Sequence, residues 1–334
     1  MARVSVLLPV RDAEATLRAA AVSILRQSHR DLRLVAVDDG SRDGSAGVLE
    51  RLAERDPRVE VVRGQGEGIA RALLRGLDRC DCEVVFRMDA DDVAHPRRLE
   101  VQLAALSADP SLGAVGSRVR LFPRRLVAGG MRRYAAWLNG LVTPEAVDRD
   151  LLVEAPLVHP AAAVRRRALA EVGGWREGDF PEDYDLWLRL RAAGHRLSNV
   201  PELLLDWRES PSRLTRRDPR YARARHLALK ASFLASGPLA GRRAAAVWGA
   251  GETGRAFARA LAGEGVRVAL FLEVDAKKFG RTVLGAPVVP YREARRARGL
   301  PLFVAVGAAG ARDLIRAELA RQGFRELVDY RCVA

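Results

Sequence analysis

Five short apolar runs recur along the first 120 residues: VSVLL (4–8), LRLVAVDD (32–39), VEVV (59–62), EVVFRM (83–88) and LGAVGSRV (112–119). Stretches of helical periodicity separate them. Buried strands alternating with amphipathic helices predict an α/β fold, a mostly parallel sheet with helices on both faces. Between the first two runs, Leu17, Ala21, Ile24, Leu25 and Ser28 share one face of a helix that Asp12 is placed to cap. A second helix, over 96–108, opens with Pro96 in its first turn and directs Leu99, Leu103 and Leu106 inward.

Past residue 218 the pattern changes. A helix-like stretch, YARARHLALKASFLA, leads through Gly237, Pro238 and Gly241 into a new strand and helix, AAAVWGAGETGRAFARAL. The G-x-G-x-x-G at 249–254 sits between that strand and that helix, and the next strand, VRVALFLEVD, ends in Glu273 and Asp275. This is the context a dinucleotide fingerprint requires. With PLFVAVG (301–307) and a helix ending before Gly323, it predicts a small Rossmann-like α/β domain over 241–334, joined by a helical linker, 219–240, to a first domain over 1–218. Gly249, Gly251, Gly254 and Asp275 are the candidates for holding a nucleotide, and the same glycines would equally serve close helix-to-strand packing.

Charge and composition narrow the function. The formal net charge is +14, but lysine occurs only at 230, 277 and 278 and the arginines are spread over both halves. No groove-reading motif or aromatic-interleaved strand accompanies them, so a nucleic-acid partner is not expected. The arginine-rich stretch 118–133 suits anionic lipid head groups, which would allow peripheral contact at the inner face of a membrane, or phosphates; taken alone, it reads first as a solvated face. Cys80, Cys82 and Cys332 are too few for a disulfide framework or a four-ligand zinc site, and no apolar run approaches a bilayer's span. The expected location is the cytoplasm.

Three motifs carry candidate chemistry. MDADD (88–92) runs a strand into Asp89, Asp91 and Asp92, a cluster that repels itself unless a cation sits in it. Hard oxygen ligands of this kind suit Mg²⁺ or Mn²⁺ held with substrate phosphates; the alternative is a solvated acidic turn. VDDGSRDGS (37–45) ends another strand, with Asp39 placed for a base or ribose, Gly40 and Gly44 allowing a sharp turn, and Asp43 able to cap the following helix. Ligands of open parallel sheets sit outside the strands' carboxyl ends, where both motifs lie. In PEDYDLWLRL (181–190), Asp183, Leu186, Trp187 and Leu190 share one helical face, with Asp185 and Arg189 expected to point to solvent. An inward carboxylate in the first turn is kept ionised by the helix dipole, which suits a general base for an alcohol. Without the other motifs, Glu182 and Asp183 would serve only that dipole.

With these motifs in order, roughly the first 215 residues resemble a family 2 glycosyltransferase of the GT-A fold. VSVLLPVRDAEATL resembles the family's opening strand and loop, VDDGSRDGS its nucleoside-binding turn, MDADD its metal-binding DxD motif and PEDYDLWLRL its base-bearing ED motif. The resemblance implies that Pro9, Val10 and Glu14 line the nucleotide end, that Asp39 contacts base or ribose, and that Asp89 and Asp91 approach sugar and metal. It makes the ED pair, Glu182 and Asp183, catalytic, with Asp183 the base of an inverting transfer. The implied donor is a nucleotide-diphosphate sugar, the acceptor a saccharide or lipid-linked hydroxyl, the cofactor Mn²⁺ or Mg²⁺, and the setting cell-surface polysaccharide or glycoconjugate synthesis. His159 falls near the acceptor side, and Arg208, in LDWRESPSRLT (205–215), where the family closes a loop over the pyrophosphate. Asp12 stands where the family usually has Asn. Trp137, Trp175 and Trp187 are expected to be packed. The tail resembles nucleotide-binding modules found beside carbohydrate-modifying enzymes. Two other classes are a degenerate nucleotide-sugar-binding scaffold and an NAD-dependent oxidoreductase drawn from the tail; the second leaves the first domain's carboxylates unexplained.

Overall fold

The computed structural model describes residues 3–211 and 213–334; Ser212, within the 205–215 segment, lies outside them. In chain order the strands are β1 (Val4–Val10), β2 (Leu32–Asp38), β3 (Val59–Arg63), β4 (Val84–Arg87), β5 (Val93–Ala94), β6 (Leu112–Phe122), β7 (Ala163–Arg165), β8 (Arg196–Arg208), β9 (Ala244–Trp248), β10 (Arg267–Glu273), β11 (Thr282–Val283), β12 (Ala286–Pro290), β13 (Leu302–Val304) and β14 (Tyr330–Cys332). The α-helices are α1 (Glu14–Leu25), α2 (Ser45–Arg55), α3 (Ile69–Leu77), α4 (Arg98–Ala108), α5 (Gly129–Leu138), α6 (Pro144–Asp150), α7 (Arg166–Val172), α8 (Glu182–Ala192), α9 (Leu214–Arg217), α10 (Arg223–Ser236), α11 (Glu252–Gly263) and α12 (Ala311–Arg321). They divide between two compact units, one of residues 1–148, 156–178 and 182–217, the other of 149–155, 179–181 and 218–334.

The first unit is built on an eight-stranded sheet in the order β3-β2-β1-β4-β7-β6-β8-β5. β3, β2, β1 and β4 run parallel, so the loops after them open on one edge. β7 is antiparallel to both β4 and β6, and β5 to β8. The apolar strand runs bury on one side with Leu17, Ile24, Leu99 and Leu106 from α1 and α4, all at or below 1 % exposure. This mixed sheet is the GT-A architecture.

Two helix starts differ from expectation. α1 begins at Glu14, and Asp12 does not cap it. Asp12 adopts a φ of +48°, a left-handed conformation that Asp tolerates better than most residues. Its carboxylate thereby turns to the next loop and accepts the Arg42 N–H at 2.7 Å. The α1 terminus is satisfied from that same loop: Ser45 Oγ accepts from the Ala13 N–H and Asp43 Oδ2 from the Glu14 N–H, both at 2.9 Å. α1 also ends at Leu25, short of Ser28. α4 begins at Arg98, and Pro96 lies in the turn before it, its carbonyl accepting the Ser28 N–H at 2.8 Å.

The second unit is a Rossmann-like α/β domain with a sheet in the order β11-β12-β10-β9-β13-β14, parallel except for β11. Its 149–155 segment comes from far upstream in the chain and is tied in by buried polar groups. Asp150, 1 % exposed, pairs with Arg316, which also holds Glu326 at 2.9 Å. Lys230, 4 % exposed on α10, donates to the Val153 carbonyl at 2.8 Å and the Val333 carbonyl at 3.1 Å. Among the described residues no helix is long and apolar enough to cross a membrane.

Candidate active site

The carboxyl end of β2 delivers Asp38 and Asp39 to the rim. Asp39 is buried, and both of its oxygens are occupied. Oδ1 accepts the Gly66 and Glu67 N–H groups at 3.0 Å, Oδ2 accepts the Gly68 N–H at 2.8 Å, and Arg11 lies 3.4 Å away. Asp39 therefore ties the 64–68 loop after β3 to the end of β2. Asp38 likewise accepts the Ser41 N–H at 3.1 Å and Arg63 at 2.8 Å. Val10 buries its side chain in the core and accepts the Asp39 N–H through its carbonyl at 2.8 Å; Pro9 beside it is half-buried. Glu14 is exposed and accepts the Gly44 N–H at 3.0 Å. A Cβ on Gly44 would stand 2.1 Å from that carboxylate, so a larger residue there would displace the Glu14 side chain from the Gly44 N–H.

At the end of β4 the carboxylates of Asp89, Asp91 and Asp92 converge, with one oxygen of each within 4.8 Å of the others. Burial, and then the charge of Asp89, pushes Asp91 up to about 6 against the pull of Arg213 and Arg208. Asp92 is pushed well above the usual carboxylate range by burial and by both neighbours. Asp92 Oδ1 accepts the Arg208 N–H at 2.7 Å, while its buried Oδ2 has no hydrogen-bond partner among the described residues. Arg208 Nε donates to the Asp91 carbonyl at 2.6 Å and its guanidinium covers the Phe122 ring at 4.4 Å. An orphaned buried oxygen beside two further carboxylates, all hard ligands, fits a divalent cation such as Mg²⁺ or Mn²⁺. The three acids stand together.

Helix α8 is buried on nearly every side. Leu186, Trp187 and Leu190 face the interior as their spacing predicts, and Glu182 at its start is 2 % exposed. Asp183 is half-buried and accepts the Tyr184 N–H at 2.7 Å through Oδ1. Asp185 departs from expectation: it is 1 % exposed instead of facing solvent. Arg176 and Arg189 form a charge pair with each of its oxygens, which compensates its burial, and Arg189 is itself largely covered. His159, 7 % exposed, accepts the Trp175 indole N–H on Nε2 at 2.9 Å. An indole only donates, so His159 carries its proton on Nδ1, 3.7 Å from Glu182 Oε1. Burial first, and the nearby charge of Arg87 second, hold the imidazole neutral by taking its pKa well below the usual range. Trp175 and Trp187 are packed and Trp137 is half-buried against the core, as expected for all three.

The sequence profile of glycosyl transferase family 2 fits residues 5–173, about half of the chain. The chain belongs to glycosyl transferase family 2. It is 28 % identical over 226 residues to the putative glycosyltransferase EpsE of Bacillus subtilis, covering 66 % of this chain and 78 % of that one. It is 29 % identical over 197 residues to the amylovoran biosynthesis glycosyltransferase AmsE of Erwinia amylovora, covering 58 % and 71 %. Among solved structures, residues 1–349 of Staphylococcus aureus TarS in complex with UDP-GlcNAc superimpose with a TM-score of 0.57 at 16 % identity, over 78 % of this chain and 71 % of that one. The mannosyltransferase PcManGT of Pyrobaculum calidifontis, in complex with GDP-Man and Mn²⁺, gives 0.51 at 22 % identity, over 79 % and 69 %.

In this glycosyltransferase the sequence motifs left several site groups unnamed. Arg87, 2 % exposed, donates to the Met88 carbonyl at 2.6 Å and to Asp89 Oδ1. Arg98, fully buried, donates to the Arg87 carbonyl at 2.6 Å. Arg213 stacks on Trp207 at 4.2 Å and bonds Glu209 at 3.3 Å. A charge inside the apolar run VVFRM was the one signal available for Arg87. In the second unit, Asp275 caps a short turn by accepting the Lys277 N–H at 3.0 Å, and Glu273 is the acid that reaches the glycine loop, accepting the Ala250 N–H at 3.0 Å. Gly249 has a φ of +111°, and a Cβ on Gly254 would fall 1.7 Å from the Gly249 carbonyl oxygen; Gly251 has open space around it.

Proposed function

We propose that this glycosyltransferase is an inverting, metal-dependent enzyme that moves a sugar from a nucleotide-diphosphate donor to an acceptor hydroxyl. The observation that carries this reading is the three-carboxylate cluster with its unpaired buried oxygen, at the same sheet edge as the Asp39 loop. In this reading Pro9, Val10, Glu14 and Asp39 form the nucleotide end, Asp89 holds the donor sugar, Asp89 and Asp91 hold Mn²⁺ or Mg²⁺ with Asp92 beside them, and Arg208 meets the diphosphate. When bound, the cation supplies Lewis-acid neutralisation of charge on the departing diphosphate. Asp183 takes the proton of the acceptor hydroxyl as its oxygen bonds to the anomeric carbon; the bond from that carbon to the diphosphate oxygen breaks, and configuration inverts. Glu182, backed by neutral His159 on the acceptor side, fixes the first turn that presents Asp183.

Similarity to AmsE, a glycosyltransferase of amylovoran biosynthesis, supports a role in polysaccharide synthesis. In this reading the product is a cell-surface polysaccharide or glycoconjugate, and the acceptor is a saccharide or lipid-linked hydroxyl met at the cytoplasmic face of a membrane. The second unit has no catalytic constellation in this reading. Its 249–254 loop is where a nucleotide would be held, and Gly251 leaves room for one. Asp183→Asn tests the mechanism: transfer is expected to fall by about 10²–10⁴-fold with nucleoside diphosphate affinity nearly unchanged. A folded Asp183→Asn protein that no longer binds the nucleotide counts against the assigned role.

A further inference from the structure

Two arginines lie under the acidic cluster on its buried side. Arg87 ends β4, two residues before Asp89, and Arg98 stands in the first turn of α4. Their exposures are 2 % and 0 %. Arg98 spends its donors on the Gln102 side chain at 3.1 Å, the Arg87 carbonyl at 2.6 Å and the Met88 sulfur at 3.4 Å, and it reaches no carboxylate. Arg87 does reach one: a single nitrogen, NH1, donates both to the Met88 carbonyl and to Asp89 Oδ1. Its Nε is buried and finds no acceptor among the described residues. A buried guanidinium left partly unsatisfied is costly, so its placement asks for a compensating role.

The geometry gives that role two parts. One oxygen of Asp89, Oδ1, is already committed to Arg87, which restrains the carboxylate's rotation. The full charge of Arg87, poorly screened because it is buried, also opposes the charge of the three aspartates. We propose that Arg87 is a positioning residue: it holds Asp89 by one oxygen and offsets the cluster's charge, so that the cluster binds a divalent cation less tightly, and in a more defined geometry, than three free carboxylates would. Arg87 acts on the reaction only through Asp89. The inference rests on the metal-dependent reading above.

The test titrates Mn²⁺ into the full-length protein without nucleotide, following free Mn²⁺ by electron paramagnetic resonance, alongside kcat and the donor KM. Arg87→Met removes the charge and is expected to bind Mn²⁺ about tenfold more tightly than the unaltered protein while kcat falls at least tenfold. Arg87→Lys keeps the charge but not the two-acceptor geometry; its Mn²⁺ affinity stays within about threefold of the unaltered protein while kcat still falls. A structural role alone would weaken metal binding, if it changed at all. Unchanged or weaker Mn²⁺ binding in a folded Arg87→Met overturns the inference. If Arg87→Met does not fold, Arg87→Lys decides: normal kcat, or Mn²⁺ affinity lost with it, overturns the inference. An unaltered protein that binds no Mn²⁺, even with UDP present, defeats the metal-dependent reading itself and is distinguishable from both outcomes.

Discussion

Asp39 and Asp92 leave the same sheet at the ends of β2 and β4, strands that flank β1, and both are almost wholly buried. Their surroundings are opposite. Asp39 accepts three backbone N–H groups and lies beside Arg11. Asp92 accepts one N–H, keeps one oxygen unpaired and sits against two further carboxylates. The difference separates two uses of a buried acid. One whose acceptor sites are filled from its own chain organises loops, whereas one left short of partners and crowded by like charge retains a demand that a cation can meet.

That contrast can be broken at its reactive end first. Asp91→Asn is expected to lower transfer by about 10²–10³-fold, as removal of one electrostatic contact to a transition state does, without lowering the melting temperature of the metal-free protein. Lost activity accompanied by a comparable loss of stability would make the cluster structural too. At the satisfied end, Asp39→Ala is expected to cost about 3 kcal/mol in denaturant unfolding, because hydrogen bonds to a buried charge are the strong ones. Near-normal stability there would remove the distinction.

The smallest effect sharpens it in the second unit, where Glu273 is another satisfied acid. Burial works against its ionisation, but Lys278 and the N–H groups of Asp275, Val274 and Ala250 outweigh burial and hold it below its ordinary 4.5. Its stabilisation is therefore present above pH 4.5 and is lost as pH falls through the lower folded value. Glu273→Gln should cost about 1 kcal/mol near neutral pH, with the two proteins converging in acid and transfer unaffected. A pH-independent difference in unfolding midpoint would place the loss elsewhere.

What the sequence revealed follows from what is local. Apolar runs located β1 to β4 and β6 because strand burial is written in consecutive residues, and MDADD and VDDGSRDGS fell at strand ends for the same reason. Partnership between distant residues was not legible. Helical spacing sent Asp185 to solvent because nothing in α8 announces Arg176 nine residues upstream. Position alone makes Asp12 look like a cap, because its turn to the 40–45 loop depends on a left-handed backbone that the sequence does not reveal. Spacing favours Asp275 as the tail's strand-end acid, whereas the group reaching the glycine loop is Glu273, two residues earlier.

The segment 149–155 has a consequence in time. Asp150 meets Arg316, which lies 166 positions later in the chain. At roughly 5–20 residues per second, a ribosome would make the guanidinium about ten to thirty seconds after the carboxylate that it pairs with. Over that interval the nascent chain holds one short segment of a domain whose remainder is still being made. The buried pair of Asp150 and Arg316 thus waits for translation of α12.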